Sequence, residues 1–154
     1  MVDVFMAFGA GFRVMYVPTA GREEDELSRL SAFLYDIQGN YHRHQTKITL
    51  VADEVHLGFP QPARVVPHGF ATLCTRGRHR GINLVGITQR TAQVNPAFRG
   101  NLEYAYFFRH GDALDIGKAC QQLGAQWRGA LQGLKNFECL AQHDGVVNKI
   151  ICKK

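Results

Sequence analysis

The stretch ITLVADEVH, residues 48–56, decides the fold class of this chain. Residues 48–52 are largely apolar, which predicts a buried β-strand, and this strand ends on two carboxylates, Asp53 and Glu54. Open α/β sheets bind their ligands at the carboxyl ends of their strands. Paired acids at such an end therefore indicate a functional edge, and the rest of the sequence must show what that edge binds.

Composition limits the kinds of protein that this sequence can form. The 154 residues suit a single domain, 1–154, and 45% hydrophobic with 20% charged residues is typical of a globular chain. The net charge of +5 permits an anionic partner. No apolar run approaches the roughly 20 residues of a membrane span. The first residues make a poor signal peptide, and the four cysteines form no CxxC pair, so we expect a cytoplasmic protein with reduced thiols.

Apolar runs and helical periodicities alternate along the chain. The predicted strands span 13–18, 46–52, 82–88 and 102–109; the predicted helices span 22–40, about 65–77 and 112–134; a hairpin spans 137–152 around Asp144-Gly145. This alternation predicts an α/β fold with a mostly parallel central sheet, covered on both faces, and a C-terminal β-hairpin. Thr88-Gln89-Arg90 and Arg109-His110 follow two of these strands, so we expect them beside Asp53 at one polar edge.

An apolar strand that ends in Asp-Glu matches the Walker B pattern of P-loop nucleotide hydrolases. The region after it, 76–109, resembles the FtsK/HerA division of P-loop ATPases, and especially the zonula occludens toxin-like and phage packaging or assembly ATPases. In that family a helix ends in an Arg before a Gly, here Arg78 and Gly81, and the next strand ends in Thr-Gln-Arg, here 88–90. Asn101 matches the Asn before the following strand. The resemblance covers 46–109 well and 13–37 loosely, and it implies a three-layer P-loop NTPase-like fold.

The resemblance implies a role for each matching residue at the strand ends. Asp53 would hold Mg²⁺ through water, and Glu54 would polarise the attacking water. Gln89 would be the polar sensor close to the γ-phosphate, and Thr88 would contribute to cofactor binding. The implied cofactors are therefore Mg²⁺ and ATP. The implied partners are motor subunits in a homo-oligomer and DNA, in the cytoplasm of a host cell if the chain is phage-encoded.

The basic run RGRHRG, 76–81, supplies the candidate arginine finger. Arg78 matches the family's finger best by its spacing to Gly81, with Arg76 and Arg80 as close rivals. A guanidinium suits this role because its fixed fork can neutralise charge on transferring phosphate oxygens in a neighbouring subunit. The competing interpretation is that these arginines only complement the dipole at the end of a helix.

One part of the family pattern is missing. A P-loop ATPase needs a phosphate-cradling loop, G-x-x-x-x-G-K-[ST], before Walker B, and no such loop occurs in this sequence. FGAGFRV, 8–14, is rich in glycine but lacks the Lys-Ser/Thr, so we expect a fold incomplete at its N-terminus, either part of a longer ATPase or a naturally shortened relative. The predicted function is an ATPase-like module or remnant of a DNA-translocating, packaging or assembly motor, with little or no hydrolysis by this chain alone. The alternative is a non-enzymatic interaction protein that binds a protein partner or nucleic acid.

Four weaker patterns point elsewhere. DEVH also fits the DExH box of helicases, but the chain is too short for two helicase domains. The histidines of YHRHQ, 41–45, with His56 could bind a metal, although solvated loop histidines are the simpler interpretation. Cys74 could be a nucleophile or a small buried thiol. The aromatic residues of 104–108 could stack on bases, but a strand buried on both faces explains them more simply.

Overall fold

The computed structural model describes residues 14–40 and 47–152, except the side chain of Asn40, as two small sheets with helices around them. The strands are β1 (Ile48–Ala52), β2 (Ile82–Gly86), β3 (Tyr104–Phe107), β4 (Glu138–His143) and β5 (Val146–Ile151). The α-helices are α1 (Glu23–Asn40), α2 (Val55–Gly58), α3 (Gly69–Arg76), α4 (Pro96–Arg99), α5 (Ala113–Leu123) and α6 (Arg128–Gln132). Short 3₁₀ turns span Gly77–Arg80, Thr91–Gln93 and Ala125–Trp127. No helix among the described residues is both long and apolar enough to cross a membrane.

Strands β1 and β2 form a parallel pair, as the sequence predicts. Their register runs from Ile48 opposite Ile82 to Ala52 opposite Gly86. One face of the pair packs against α1, α3 and α4 around a core that includes Phe59, Phe70 and Phe98. The other face carries exposed aliphatic side chains, at Val51, Val85 and Ile87. The pair is therefore covered on one face only within the part of the chain that the structure describes.

Strand β3 departs from the prediction of one mostly parallel sheet. It pairs antiparallel with β4, and β4 pairs with β5, so that β3 and β2 belong to different sheets. Ala105 and Phe107 face the core formed with α5 and α6, whereas Tyr104, Tyr106 and Phe108 are exposed. The prediction that this strand is buried on both faces is therefore wrong. The alternation is that of an antiparallel sheet with one solvated face.

The predicted strand at 13–18 is wrong for residues 14–18, which have no regular structure; Arg13 and most of FGAGFRV, 8–14, lie outside the described residues. Local bonds hold the segment to the first turn of α1 instead. The hydroxyl of Tyr16 donates to Oε2 of Glu26 at 2.7 Å, and the backbone N–H of Thr19 donates to the same oxygen at 2.9 Å. The Tyr16 hydroxyl also holds the pKa of Glu26 below its usual range. Pro18 offers no backbone donor to a sheet, which favours this local arrangement.

Buried Glu24 joins α1 to the proline-rich connection that precedes α3. Its carboxylate accepts the backbone N–H groups of Arg64 and Val65 and the Nε–H of Arg64. Helix α3 begins at Gly69, later than predicted, because Pro67 precedes it and His68 caps it: Nδ1 of His68 accepts the N–H of Phe70 at 3.1 Å. These contacts fix the connection that carries the chain from the end of β1 towards β2.

The predicted C-terminal hairpin is confirmed. Strands β4 and β5 pair in register, and the two residues between them, Asp144 and Gly145, have φ values of 48° and 75°. Positive φ at both central positions is the geometry of the two-residue turn that Asp-Gly favours. The predicted helical region 112–134 is present as α5 and α6, with Asp112 accepting the N–H groups of Leu114 and Asp115 at the start of α5.

Candidate functional site

The carboxyl ends of β1 and β2 meet in the structure. The N–H of Ile87 donates to the carbonyl of Ala52, and the N–H of Val55 donates to the carbonyl of Ile87, each at 2.9 Å. This short ladder continues the parallel pair past its last strand residues, and it places Asp53 and Glu54 next to Thr88 and Gln89. The expected proximity of these acids to the Thr-Gln segment is therefore present.

Glu54 has an unusual backbone for a residue other than glycine. Its φ of 46° and ψ of 49° lie in the left-handed region, at the start of α2. That conformation costs a non-glycine residue about 1–2 kcal/mol, and such strain concentrates at functional sites. The carboxylate is oriented by two groups: Oε2 accepts the N–H of Gln89 at 3.3 Å and lies 3.3 Å from Nδ1 of His56.

Asp53 is exposed directly after β1. Its Oδ1 accepts the N–H of Glu54 at 3.0 Å, and no bond to Oδ2 occurs among the described residues. No cluster of three or more metal-ligating side chains occurs within 14–40 and 47–152. A single exposed carboxylate is compatible with Mg²⁺, which keeps several waters and is often held by one or two carboxylates and the phosphates of a substrate; the metal-binding role of Asp53 stays a prediction.

His56 belongs to this site, although the sequence suggests only a solvated loop histidine. Its side chain is 11% exposed, and Nδ1 lies 2.9 Å from Oγ1 of Thr88 as well as close to Glu54. Oγ1 of Thr88 also accepts the N–H of Arg90 at 3.0 Å. Thr88 is therefore engaged with the protein itself, and its part in cofactor binding stays a prediction. His56 follows Asp53-Glu54 closely in the sequence, but nothing in the sequence marks its contact with Thr88.

The segment after β2 also contacts the end of β3. Nδ1–H of His110 donates to the carbonyl of Phe108 at 2.7 Å, so Nε2 of a neutral His110 accepts the hydroxyl of Thr91 at 3.0 Å. Buried Asp115 on α5 accepts the N–H of Ala92 at 2.7 Å and pairs with Nε of Arg90 at 3.1 Å. These bonds connect the end of β3 to the segment that follows Gln89. The prediction that Arg109-His110 share one sheet edge with Asp53 is nevertheless wrong, because β3 belongs to the other sheet.

The three arginines of the basic run differ in their contacts. Arg80 is held against α1, with its Nη1 donating to the carbonyl of Tyr35 at 2.9 Å and its guanidinium 3.9 Å from the centre of the Tyr35 ring. Gly39 leaves room for this guanidinium, since a Cβ there would overlap Nη1 of Arg80. Arg76 and Arg78 are exposed, and neither makes an ion pair with a described residue.

The structure also bears on two of the weaker sequence patterns, the Cys74 thiol and the histidine cluster. Cys74 is half-buried on α3, and burial raises the pKa of its thiol to about 12, which is the opposite of what a nucleophilic cysteine needs. Of the predicted histidine cluster, YHRHQ at 41–45 lies outside the described residues. His56 itself contacts Thr88 and Glu54.

No family model matches the sequence, and no curated protein matches it. Solved structures do match the fold of this chain. The genome packaging NTPase B204 of Sulfolobus turreted icosahedral virus 2, in complex with ATP-gammaS, superposes with a TM-score of 0.74 at 16% identity, over 90% of this chain and 66% of that one. B204 of Sulfolobus turreted icosahedral virus, a DNA-packaging ATPase, gives a TM-score of 0.74 at 15% identity, over 94% of this chain and 74% of that one. The fold of the described residues therefore resembles that of B204.

The match has a defined extent. The chain spans 66% of the B204 molecule crystallised with ATP-gammaS and 65% of the one crystallised with AMPPCP. At 15–16% identity the likeness concerns the fold alone. Nucleotide binding, hydrolysis and DNA packaging are therefore properties of B204, and each has to be argued separately for this chain.

Proposed function

We propose that this chain is an ATPase-like module of a DNA-translocating, packaging or assembly motor of the FtsK/HerA type. The observation that carries the proposal is the contact between the two strand ends, where the N–H of Gln89 donates to the carboxylate of Glu54 beside exposed Asp53. The likeness of the fold to a viral genome packaging NTPase supports it.

In this proposal each functional residue at the carboxyl ends of β1 and β2 has a separate role in phosphoryl transfer. Asp53 holds Mg²⁺ through water, and the metal ion supplies charge neutralisation at the phosphates. Glu54 orients the attacking water, Gln89 reports on the γ-phosphate from the next strand end, and Arg78 acts on the nucleotide of a neighbouring subunit. His56 and Thr88 keep the carboxylate of Glu54 and the loop of Gln89 in place.

A phosphate-binding loop is required before this edge can hydrolyse ATP efficiently, and the sequence has none. We therefore expect the purified chain to show no ATP hydrolysis above that of its Glu54→Gln variant. Magnesium-dependent turnover that Glu54→Gln abolishes would contradict this expectation, and would mean that other residues hold the phosphates.

The proposal itself is tested by adding a phosphate-binding segment to the chain. A strand, a G-x-x-x-x-G-K-[ST] loop and a helix are fused ahead of residue 1, and steady-state ATP hydrolysis is measured. We expect hydrolysis that is lost in Asp53→Asn and Glu54→Gln and reduced in Gln89→Ala. A fusion that folds and binds ATP, but hydrolyses it at the same rate with and without the Glu54→Gln substitution, would exclude the ATPase role.

The alternative function is a non-enzymatic interaction protein on the same fold. It is favoured by one observation: the outer face of β1 and β2 exposes Val51, Val85 and Ile87, which a protein partner could cover. Self-association does not distinguish the two functions, because the motor is also expected to be a homo-oligomer. An inactive fusion, together with binding of a different protein that disappears in Val85→Lys, would favour the interaction protein.

A further inference from the structure

A cavity of about 370 Å³ lies between the end of β3 and the turn that leads into β4. Its volume is within the range of small-ligand pockets. The lining combines two cations, an amide, a carboxylate and two aromatic rings: Arg109, Lys135, Asn136, Glu138, Phe108 and Phe137. Arg109 was predicted at the polar edge, but the cavity lining includes none of Asp53, Glu54, Thr88 and Gln89.

The charge of the cavity favours an anion. Its single carboxylate, Glu138, is already engaged: Oε2 accepts the N–H of Lys135 at 2.8 Å and pairs with Nζ of Lys149 at 2.9 Å. Those bonds, the one from Lys135 first, hold the pKa of Glu138 below its usual range. The side chains of Arg109 and Lys135 are exposed and make no ion pair with any residue of 14–40 and 47–152. Lys135 also acts electrostatically on Glu138, and both cations present exposed positive charge to a ligand.

The two aromatic residues that line the cavity are half-exposed. Phe108 is 52% exposed and Phe137 is 51% exposed. The backbone of Phe137 has a φ of 66°, in the left-handed region that a bulky residue rarely adopts. The fold maintains it there: the carbonyl of Phe137 accepts the N–H of Cys152, and the N–H of Glu138 donates to the carbonyl of Lys135. Strain of this kind at an exposed ring is typical of a ligand clamp.

We propose that this cavity binds one nucleotide unit, with its base on Phe108 and Phe137 and its phosphate on Arg109 and Lys135. A base suits the rings because every base has a π-face to stack, and guanidinium and ammonium groups both bind phosphate. Asn136 can offer a donor and an acceptor to the edge of the base. A simple anion would not need the rings, and an apolar ligand would not need the cations. The unit can come from a free nucleotide or from single-stranded DNA.

Two direct binding assays on the full chain, without Mg²⁺, test the site and identify the source. The first uses the fluorescence anisotropy of labelled (dT)12, and the second uses calorimetric titration with AMP; inorganic phosphate is the competitor that carries charge alone. We expect saturable binding of at least one nucleotide probe, and a salt dependence with a slope near −0.7 for each phosphate contacted by a strand.

The key variant is Phe137→Gly, which removes the ring and also relieves the left-handed backbone. It should weaken nucleotide binding by about 5- to 100-fold, the effect of one lost base stack, and thermal unfolding checks that the variant is folded. Lys135→Gln should weaken binding and flatten the salt dependence. Tyr106→Ala is the matched control, because Tyr106 is an exposed aromatic residue of β3 that does not line the cavity.

Each outcome of the two binding assays either supports or overturns the proposed nucleotide site. Binding of AMP without binding of (dT)12 would identify the ligand as a free nucleotide, and binding of (dT)12 that AMP displaces poorly would identify it as a strand. The proposal is overturned if neither probe binds, if inorganic phosphate competes as well as AMP, or if Tyr106→Ala and Phe137→Gly weaken binding equally. Failure here would leave the ATPase proposal intact, since that rests on Asp53, Glu54 and Gln89.

Discussion

Glu54 combines a left-handed backbone with a carboxylate that two neighbouring groups orient. If stability alone had selected this position, glycine would serve better, because glycine adopts positive φ without steric cost. We therefore predict that Glu54→Gly raises the free energy of unfolding by about 0.5–1 kcal/mol, measured by urea denaturation. The lost bond to Gln89 is long and half-exposed and offsets only part of this gain. A destabilised Glu54→Gly would show that the glutamate serves the fold, and would weaken its assignment to the site.

Glu24 presents the opposite case, an acid whose role is structural. It is 3% exposed, and although burial by itself would raise its pKa, the bonds from Val65 and Arg64 lower the pKa below its usual range. Because the folded pKa lies below the unfolded one, the stabilisation is complete above the unfolded pKa and is lost as the pH falls through the folded pKa.

We predict that Glu24→Gln costs about 1–3 kcal/mol at neutral pH, since buried N–H donors lose a charged acceptor. The variant should also remove part of the acid-induced loss of stability between about pH 5 and pH 3. Denaturation curves at several pH values measure both effects. Asp25→Asn is the control, because Asp25 pairs with Arg22 and Arg29 at the surface and should change stability little.

At the scale of the elements, the 3₁₀ turn Thr91–Gln93 and helix α5 together connect the ends of β2 and β3. Buried Asp115 joins them through Ala92 and Arg90. We predict that Asp115→Ala destabilises the fold by about 2–4 kcal/mol and Asp115→Asn by less, because asparagine keeps an acceptor for the N–H of Ala92. Hydrogen exchange at Ala92 should accelerate in step. Glu103→Ala is the control, and equal effects at both positions would refute this role.

The same elements show how far the sequence could predict the molecule. Local patterns were sufficient for α1, for the parallel strands β1 and β2, and for the hairpin, where Asp144-Gly145 encodes its own turn. Strand β3 was assigned to the wrong sheet because an apolar run does not reveal its pairing partner, which lies more than 30 positions along the chain. The strand predicted at 13–18 is wrong for 14–18 because its short apolar run resembles a strand, whereas the bonds of Tyr16 and Thr19 to α1 leave no periodic signal in the sequence.

The same distinction applies to the candidate site: residues in local motifs could be predicted, and residues defined by long-range contacts could not. Asp53, Glu54 and Gln89 could be chosen from the sequence because each belongs to a short motif at the end of a predicted strand. His56 could not, because its contact with Thr88 joins positions 32 apart. Asp115 was missed for the same reason, and Phe137 because a left-handed φ at an aromatic residue has no sequence signature. Whether these residues perform the proposed chemistry stays a prediction.

At the scale of the whole molecule, Arg78 and the Asp53-Glu54 edge lie at opposite ends of the parallel pair. Arg78 precedes the first residue of β2, whereas the acids follow the last residue of β1, and the five residues of each strand separate them by about 16 Å. An arginine side chain cannot span that length within one subunit. If Arg78 acts on a nucleotide, the nucleotide therefore belongs to another copy of the chain.

This geometry predicts how mixed assemblies behave. In the fusion that carries a phosphate loop, Arg78→Ala should lower kcat by about 10³-fold or more, as expected for an arginine finger. Arg76→Ala should have little effect, and Arg80→Ala should lower stability instead, because Arg80 is bound to Tyr35 on α1.

Mixing inactive Arg78→Ala subunits with inactive Glu54→Gln subunits should restore part of the hydrolysis, because some interfaces then join an intact Glu54 to an intact Arg78. If mixing restores nothing, and Arg76→Ala and Arg78→Ala lose DNA binding equally, the basic run contacts DNA and the chain acts through binding.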